Sequence, residues 1–542
     1  MKWGTRDSKG KVLCNFIPQV LSLDKVYINA SSEPVETVRL WLDFGGDNIE
    51  NKKVHSFPLD VIDDIPWKKL DKRCNFDPNM SDKRIGRYLG CIVRQALISV
   101  SERLVYKFNR VGMYTVNGRP VFYTGTKLIL FSQYDTNIVF ETELASQKLE
   151  VDEKLSEEEA AAEFFRLLCL SPDPGRVISA YKLGQFMRPA YEKIGRMPKN
   201  CIYLYGQSGT QKTTFSSFLV QTYDRSDGIK KPSRLDASNP AAVNMLLENF
   251  NDVVIMDDLF PTDSPKKQRQ MEETLIEITR YIADGTTPAK MEGKKLSRGY
   301  PRCGVIFTGE YLIGRGSDAA RILPIKMVKP DVKKLRYFQE HPLIVSTFYY
   351  YFISWFIDRF EEVCIMLKEF WKVYENAKLN VHDRLRETHY FLGSSFFLFL
   401  QYLYEKGFIS DSDAARLYQS FSELLNLLVT KQNERVKMGT PEQFENIDYW
   451  RKICELYRNK QFCTADSADN FDKNQHDSVL HDNCLYFRGE CLSRFFPNIS
   501  LKEIVDELER KGVLQAGRDK KTKQIFRLKG MRFYVIPLTY LT

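Results

Sequence analysis

The hydrophobic pattern changes character several times along the chain. Up to about residue 145, short β-rich runs such as Val26-Tyr-Ile, Val38-Arg-Leu-Trp-Leu and Leu128-Ile-Leu-Phe alternate with polar turns, and an amphipathic stretch near Asp82 to Val100 predicts a helix. From Gly112 to Tyr123, apolar and polar positions alternate around Asn117-Gly118, a dipeptide suited to the left-handed backbone of a two-residue hairpin turn. Residues 1–150 therefore read as an α+β domain. Lys83, Arg84, Arg87 and Arg94 give its helix a basic face, which fits either a solvated surface or contact with a nucleic-acid backbone.

The acidic stretch Asp152-Glu-Lys-Leu-Ser-Glu-Glu-Glu marks a boundary and opens a helical segment over 151–198. Ser156 and Glu159 have the spacing of a capping box, and the first-turn carboxylates complement the helix dipole. Pro172, Pro174 and Gly175 punctuate, and a second helix is predicted to run to about Lys193. Over 199–330 the pattern shifts to short apolar runs, Cys201-Ile-Tyr-Leu, Val253-Val-Ile-Met, Cys303-Gly-Val-Ile-Phe and Ile322-Leu-Pro-Ile, which read as buried strands. Residues 331–440 are helical, with core stripes at Phe348 to Phe360, Phe391 to Leu403 and Phe421 to Leu428, and predict a packed helical lid. In 441–542 a strand at Leu485-Tyr-Phe precedes a helix over Ile499 to Arg510 closed by Gly512; strands at Lys523 to Leu528 and Arg532 to Leu538 follow, a winged-helix-like order.

Composition adds bounds. A chain of 542 residues exceeds one ordinary domain, which spans about 100–200 residues. Hydrophobic residues at 43% and charged residues at 27% argue against long disorder. A net charge of +9 permits a nucleic-acid partner without requiring one. The 11 scattered cysteines and the start Met1-Lys-Trp-Gly point to reduced thiols and a cytoplasmic protein. Cys454, Cys463, His476, His481, Cys484 and Cys491 contain no C-x-x-C pair, so a zinc site is not expected. The most apolar run, Leu343 to Phe360, is broken by Ser346, Ser354, Asp358 and Arg359 and reads as a core helix; no membrane partner is expected.

The chemistry centres on Leu204 to Phe215. Gly206 and Gly209 make a turn whose amides converge on phosphate, and Lys212 and Thr213 open a helix. The nucleotide cradle is thus Gly206, Gln207, Ser208, Gly209, Thr210, Gln211, Lys212, Thr213 and Thr214. Gln211 stands where the usual pattern has glycine, and the same letters also fit a plain glycine turn between strand and helix. Asp252-Val-Val-Ile-Met-Asp-Asp supplies a strand ending in two carboxylates: Asp257 as magnesium ligand with Thr213, and Asp258 as general base. A buried strand capped by solvated aspartates is the plainer alternative. Thr308, at the end of the third strand, is the candidate sensor of the terminal phosphate; Arg321, before the fourth, is the candidate arginine finger, with Arg315 its rival. Lys290, Lys294, Lys295 and Arg298 make a basic, turn-rich insertion that reads as a DNA-contacting hairpin or a solvated turn. Lys520 and Lys521 make the C-terminal turn region basic, for DNA or protein contact.

Taken together, Gly206-Gln-Ser-Gly-Thr-Gln-Lys-Thr, Val254-Ile-Met-Asp-Asp-Leu, Ile306-Phe-Thr-Gly-Glu and Ser317-Asp-Ala-Ala-Arg resemble the AAA+ replicative helicases of phages and mobile genetic elements. These relate to the superfamily 3 and MCM helicases, and the likeness extends to cassette-type helicases of staphylococcal mobile elements. MCM-type loops also lack the glycine that Gln211 replaces. The resemblance implies an α/β P-loop (AAA+) ATPase core with an N-terminal α+β domain, a helical lid and a C-terminal winged-helix-like domain. It further implies ATP and Mg2+ as cofactors, a homo-oligomeric ring, expected to be a hexamer, and action on single-stranded and forked DNA, with a replication initiator or primase as further partner. An ATP-gated DNA-binding initiator with little unwinding is the alternative.

Overall fold

The computed structural model describes residues 4–31, 33–45, 53–131, 137–223, 233–234, 240–260, 264–286, 290–292, 295–297, 299–312, 316–376, 379–438, 449–496, 501–515, 522–525, 527–528 and 530–541. The chain divides into two units, Met1–Val436 and Lys437–Thr542.

The first unit begins with strands β1 (Ile17–Ile28), β2 (Val35–Asp43) and β3 (Val54–Pro58), then the short α1 (Trp67–Leu70) and the amphipathic α2 (Asp82–Leu97). Ile85, Leu89 and Val93 of α2 pack with Val38 and Leu40 of β2 in a core of their own, leaving Lys83, Arg84 and Arg87 exposed. After β4 (Glu102–Phe108) come β5 (Gly112–Val116), β6 (Arg119–Tyr123), β7 (Leu128–Ile129) and β8 (Ile138–Thr142). One sheet has the order β3-β2-β1-β4-β8 and another the order β5-β6-β7. The expected hairpin joins β5 to β6, with Asn117 and Gly118 at φ 48° and 74°, the left-handed pair such a turn requires.

The capping box forms: Ser156 N–H donates to Glu159 Oε2 at 2.9 Å and Glu159 N–H to Ser156 Oγ at 3.2 Å, opening α3 (Glu157–Leu168). α4 (Pro172–Phe186) starts at Pro172 itself, ahead of the expected break, because a first-turn proline lacks only an N–H that would have no helical acceptor. α5 is Arg188–Lys193.

The central sheet is built from β9 (Cys201–Tyr205), followed by α6 (Lys212–Val220), β10 (Ser233–Arg234), α7 (Pro240–Asn249), β11 (Val253–Leu259) and α8 (Pro265–Asp284). A short antiparallel pair, β12 (Lys290–Glu292) and β13 (Lys295–Ser297), precedes β14 (Gly304–Gly309), α9 (Gly316–Ala319) and β15 (Ile322–Lys326). The order is β10-β11-β14-β9-β15, and every neighbouring pair is parallel. Alternate residues serve opposite layers: Ile202, Leu204, Ile255 and Ile306 enter the large helical core, while Cys201, Tyr203, Met256 and Phe307 pack with Met271, Leu275 and Ile278 of α8. Burial on both faces explains why these strands read as unbroken apolar runs.

The segments 157–193 and 343–405 share one core. α10 (Val332–Glu340), α11 (Leu343–Asp358), α12 (Phe360–Asn376), α13 (Asp383–Glu405) and α14 (Asp411–Met438) follow the sheet. Phe164 of α3 stacks on Phe348 of α11 with centroids 4.0 Å apart, and the Tyr191 hydroxyl meets Ser394 Oγ at 2.7 Å and Ser395 Oγ at 2.8 Å on α13. Gly184 makes this approach possible, since a Cβ there would lie 2.4 Å from Phe391 Cζ. No helix among the described residues is long and apolar enough to cross a membrane.

The second unit contains α15 (Tyr449–Arg458), β16 (Thr464–Ala465), β17 (Ser478–His481), β18 (Cys484–Phe487), α16 (Gly489–Phe495), α17 (Leu501–Arg510) and β19 (Tyr534–Pro537), with its strands in that order in one sheet. The strand expected at Arg532–Leu538 forms as β19 and pairs with β18. The one expected at Lys523–Leu528 shrinks to a bridge between Lys523 and Phe533, because turn bonds from Leu528 N–H to Ile525 O and from Met531 N–H to Leu528 O bend the chain away.

Candidate nucleotide site

Parallel pairing brings the C-terminal ends of β9, β11 and β14 to one edge of the sheet. There they border a cleft of about 220 Å3 lined by Ser208, Gly209, Gln211, Lys212, Thr213 and Thr214 from the loop and α6, and by Asp257, Asp258, Thr308 and Glu310 from the other two strands. A crevice outside the carboxyl ends of parallel strands is where open α/β sheets bind ligands.

The loop is closed by its own bonds. Thr210 Oγ1 donates to Gln207 O at 2.8 Å, and Gly206 N–H donates to Gly309 O at 3.1 Å. Gly209 has φ 79°, and a Cβ there would meet nothing within 4 Å, so its glycine serves the turn. Gln211 also adopts the left-handed region, at φ 62°, immediately before the first residue of α6. The position where the usual pattern places glycine thus keeps the glycine conformation, held by a residue with a Cβ at a cost of about 1–2 kcal/mol. The first-turn amides of α6 have no helical acceptor and lie at the positive end of its dipole, a setting for anions.

Lys212 Nζ donates to Gly206 O at 2.7 Å and Gln207 O at 3.1 Å. Burial pulls its pKa down, while Glu310, Asp257 and Asp258 oppose that by favouring the charged form. Thr213 Oγ1 donates to Asp257 Oδ1 at 2.6 Å, and the Thr308 hydroxyl donates to the same oxygen. Thr308 Oγ1 in turn accepts the Asp258 N–H at 3.4 Å. The register between β11 and β14 shifts between Met256 and Leu259, and Asp258, inside that shift, has φ 78°. Such bulges re-aim side chains beside functional sites. Gly309 lets the strand ends close up, since a Cβ there would stand 2.2 Å from the Tyr203 hydroxyl.

The cleft brings together the candidate residues Lys212, Thr213, Asp257, Asp258 and Thr308, and Glu310, which was not among the candidates, lines it with them. Its only signal was its place two residues past Thr308. The oxygen donors, a hydroxyl beside carboxylates, suit a hard cation such as magnesium.

Arg321 lies elsewhere. It precedes β15, whose Ile322 pairs with Cys201, so it stands at the opposite edge of the sheet from the loop. Its side chain is 10% exposed, and its guanidinium reaches Ser317 O at 3.0 Å, Asp318 Oδ1 at 3.3 Å and Asp284 Oδ1 at 3.6 Å. Arg280 shares Asp318 through bonds of 3.0 and 2.9 Å. Arg315, Lys294, Arg298, Lys520 and Lys521 fall outside the described residues. Lys290 and Lys295 sit on β12 and β13, which pair as a hairpin.

No family model matches the chain, and no curated protein matches it. Solved structures with some likeness include one described as "SCCmec type IV Cch - active helicase", 13% identical over 96% of this chain and 92% of that one, with a TM-score of 0.48. The apo NrS-1 C-terminal region is 10% identical over 79% of this chain and 91% of its own, at 0.27. A small-molecule complex of the JCV helicase is 14% identical over 53% and 74%, at 0.21.

Proposed function

We propose that this chain is an ATP hydrolase of the AAA+ type that works as a ring of identical subunits and moves on single-stranded or forked DNA. The observation that carries the reading is the convergence of the Thr213 and Thr308 hydroxyls on Asp257 Oδ1 beside Lys212. Further support comes from the strand order, with the loop strand β9 between β14 and β15, and from the hairpin β12–β13 inserted before β14.

When bound, ATP with Mg2+ supplies the phosphoanhydride bond and the metal that neutralises its charge. The loop amides and α6 amides hold the phosphates, and Lys212 exchanges its two carbonyl acceptors for phosphate oxygens. Thr213 and Asp257 hold the metal, while Asp258 orients the attacking water and accepts its proton. Thr308, bonded to Asp257 and to the Asp258 amide, keeps the two carboxylates in register. Arg321 serves a neighbouring subunit's cleft, which requires it to leave Asp318 and Asp284. Lys290 and Lys295 of the hairpin strands, Lys294 and Arg298 next to them in sequence, and Lys520 and Lys521 contact DNA phosphates.

The test is ATP turnover with and without single-stranded DNA, together with strand displacement on a fork, for wild type and Lys212→Ala. DNA-stimulated turnover and displacement, both lost in the variant, are expected. Turnover without displacement at any salt or polarity returns the chain to the initiator reading, and turnover indifferent to DNA removes it from DNA motors altogether.

A further inference from the structure

A larger cleft, of about 500 Å3, opens at the other edge of the central sheet, by the N-terminal ends of β9 and β14. It exists because the β5–β6 hairpin is pinned against the segment before β11. Asn251 Nδ2 donates to Met113 O, Arg110 to Asn249 Oδ1, and Gly112, at φ 129°, lies so close that a Cβ would stand 2.6 Å from Asn251 Cβ. The hairpin thus spans a gap whose other walls are α4, α5 and the chain leading into β14.

Three cations line it: Arg188, Lys199 and Arg302. Arg188 is partly buried and donates to Pro301 O at 3.0 Å; burial lowers its pKa, with Arg302 adding to the effect against Cys303, Tyr181 and Glu192. Lys199 and Arg302 are exposed, and neither has an ion-pair partner among the described residues. The carboxylates on the rim are Glu192 and Asp284, the second 3.6 Å from Arg321. In the floor, Gln185 and Asn200 are 6% and 4% exposed, and Gln185 Oε1 and Asn200 Nδ2 have no hydrogen-bond partner. Tyr114 is buried in the wall, and Tyr300 is 68% exposed on the rim.

An inorganic anion answers the cations but leaves the floor's donor and acceptor unmatched, and an apolar ligand answers neither. A nucleotide meets both, with phosphate for the cations and an amide-like base edge for the donor and acceptor, beside the Tyr114 and Tyr300 side chains. Tyr300 and Arg302 lie on the segment that leads from β13 into β14. We propose that this cleft holds one nucleotide of a single nucleic-acid strand, its phosphate on Arg302, Lys199 and Arg188 and its base between Tyr114 and Tyr300. The assignment rests on the DNA-motor reading above and adds a contact distinct from the hairpin.

The experiment is fluorescence anisotropy of a labelled oligothymidine strand over a salt series, for wild type, the Lys199→Ala/Arg302→Ala double variant and Tyr300→Ala. Thermal melts verify folding. The double variant is expected to bind at least about tenfold more weakly, and its log affinity against log salt to flatten by about 0.7 for each cation removed. Tyr300→Ala weakens binding without changing that slope, and DNA-free ATP turnover stays at the wild-type level in both. Double-variant binding with wild-type affinity and slope overturns the proposal while leaving the motor reading intact. A wild-type protein that binds no strand overturns both. Thymidine monophosphate is the competing probe: if it binds wild type but not the double variant, while the strand binds both equally, the cleft takes a free nucleotide and the assignment to a strand fails.

Discussion

The Thr213 hydroxyl donates to Asp257 Oδ1 across 2.6 Å, tying the first turn of α6 to the end of β11. Thr308 donates to the same oxygen from β14, so residues almost a hundred positions apart share one acceptor. A hydrogen bond to a charged group contributes about 1.5–3 kcal/mol, or about 10- to 150-fold in rate if it acts in the transition state. Thr308→Ala is therefore expected to lower ATP turnover by that factor with nucleotide affinity retained, and Thr308→Ser to recover most of it. Turnover and nucleotide dissociation constants decide this; an alanine variant as fast as wild type removes Thr308 from the site.

Gln211 and Asp258 both hold left-handed backbone, at φ 62° and 78°. Glycine relieves a strain of about 1–2 kcal/mol at such a position. Gln211→Gly is expected to raise the melting temperature and keep turnover, whereas Asp258→Gly stabilises but abolishes turnover. Melting curves read beside steady-state rates separate the two. Equal loss of activity in both variants contradicts the separate roles given to these residues.

Lys182 and Asp252 form an ion pair in which both side chains are essentially inaccessible, and Thr222 Oγ1 also accepts from Lys182 at 2.5 Å. It joins α4 to the start of β11. Removing one partner of a buried pair typically costs about 3–5 kcal/mol, because the other is left charged and unpaired. Lys182→Met should cost that much in denaturant unfolding, and Lys182→Met/Asp252→Leu should cost less than the single change. A double variant no more stable than Lys182→Met counts against the pair as the source.

His389 is 3% exposed on α13, and burial lowers its pKa from 6.5 to about 4, partly offset by Asn426. Between those pH values the unfolded chain binds the proton and the folded chain does not, so stability falls as pH drops from about 6.5 to 4 and is unaffected above. The shift corresponds to about 3 kcal/mol at the acid end. His389→Phe is expected to flatten this part of the pH–stability curve. An unchanged acid slope in the variant assigns the loss to other groups.

Local chemistry made much of this legible. Ser156 and Glu159 cap a helix through bonds within one turn, Asn117-Gly118 forces a tight hairpin, and the strands ending at Tyr205, Leu259 and Gly309 announce themselves because both their faces are buried. The loop residues and the carboxylates at Asp257 and Asp258 were candidates because they stand at strand ends, and parallel pairing brings those ends to one cleft. At Lys523 to Leu528 the apolar pattern suggested a strand, and competing turn bonds reduced it to a bridge.

What the sequence by itself determined are features that depend on neighbours a few positions apart: periodicity, capping, turn residues and the glycine turn that opens α6. Only the tertiary structure decided which strand ends meet. It set Thr213, Asp257 and Thr308 on one oxygen, brought Glu310 into their cleft, sent Arg321 to the other edge, and merged 157–193 with 343–405 into a single core. It also opened the cleft between the β5–β6 hairpin and the start of β14. Those outcomes follow from strand order and helix packing, in which contacts between distant residues compete for the same buried surface, and no local pattern in the chain records who wins.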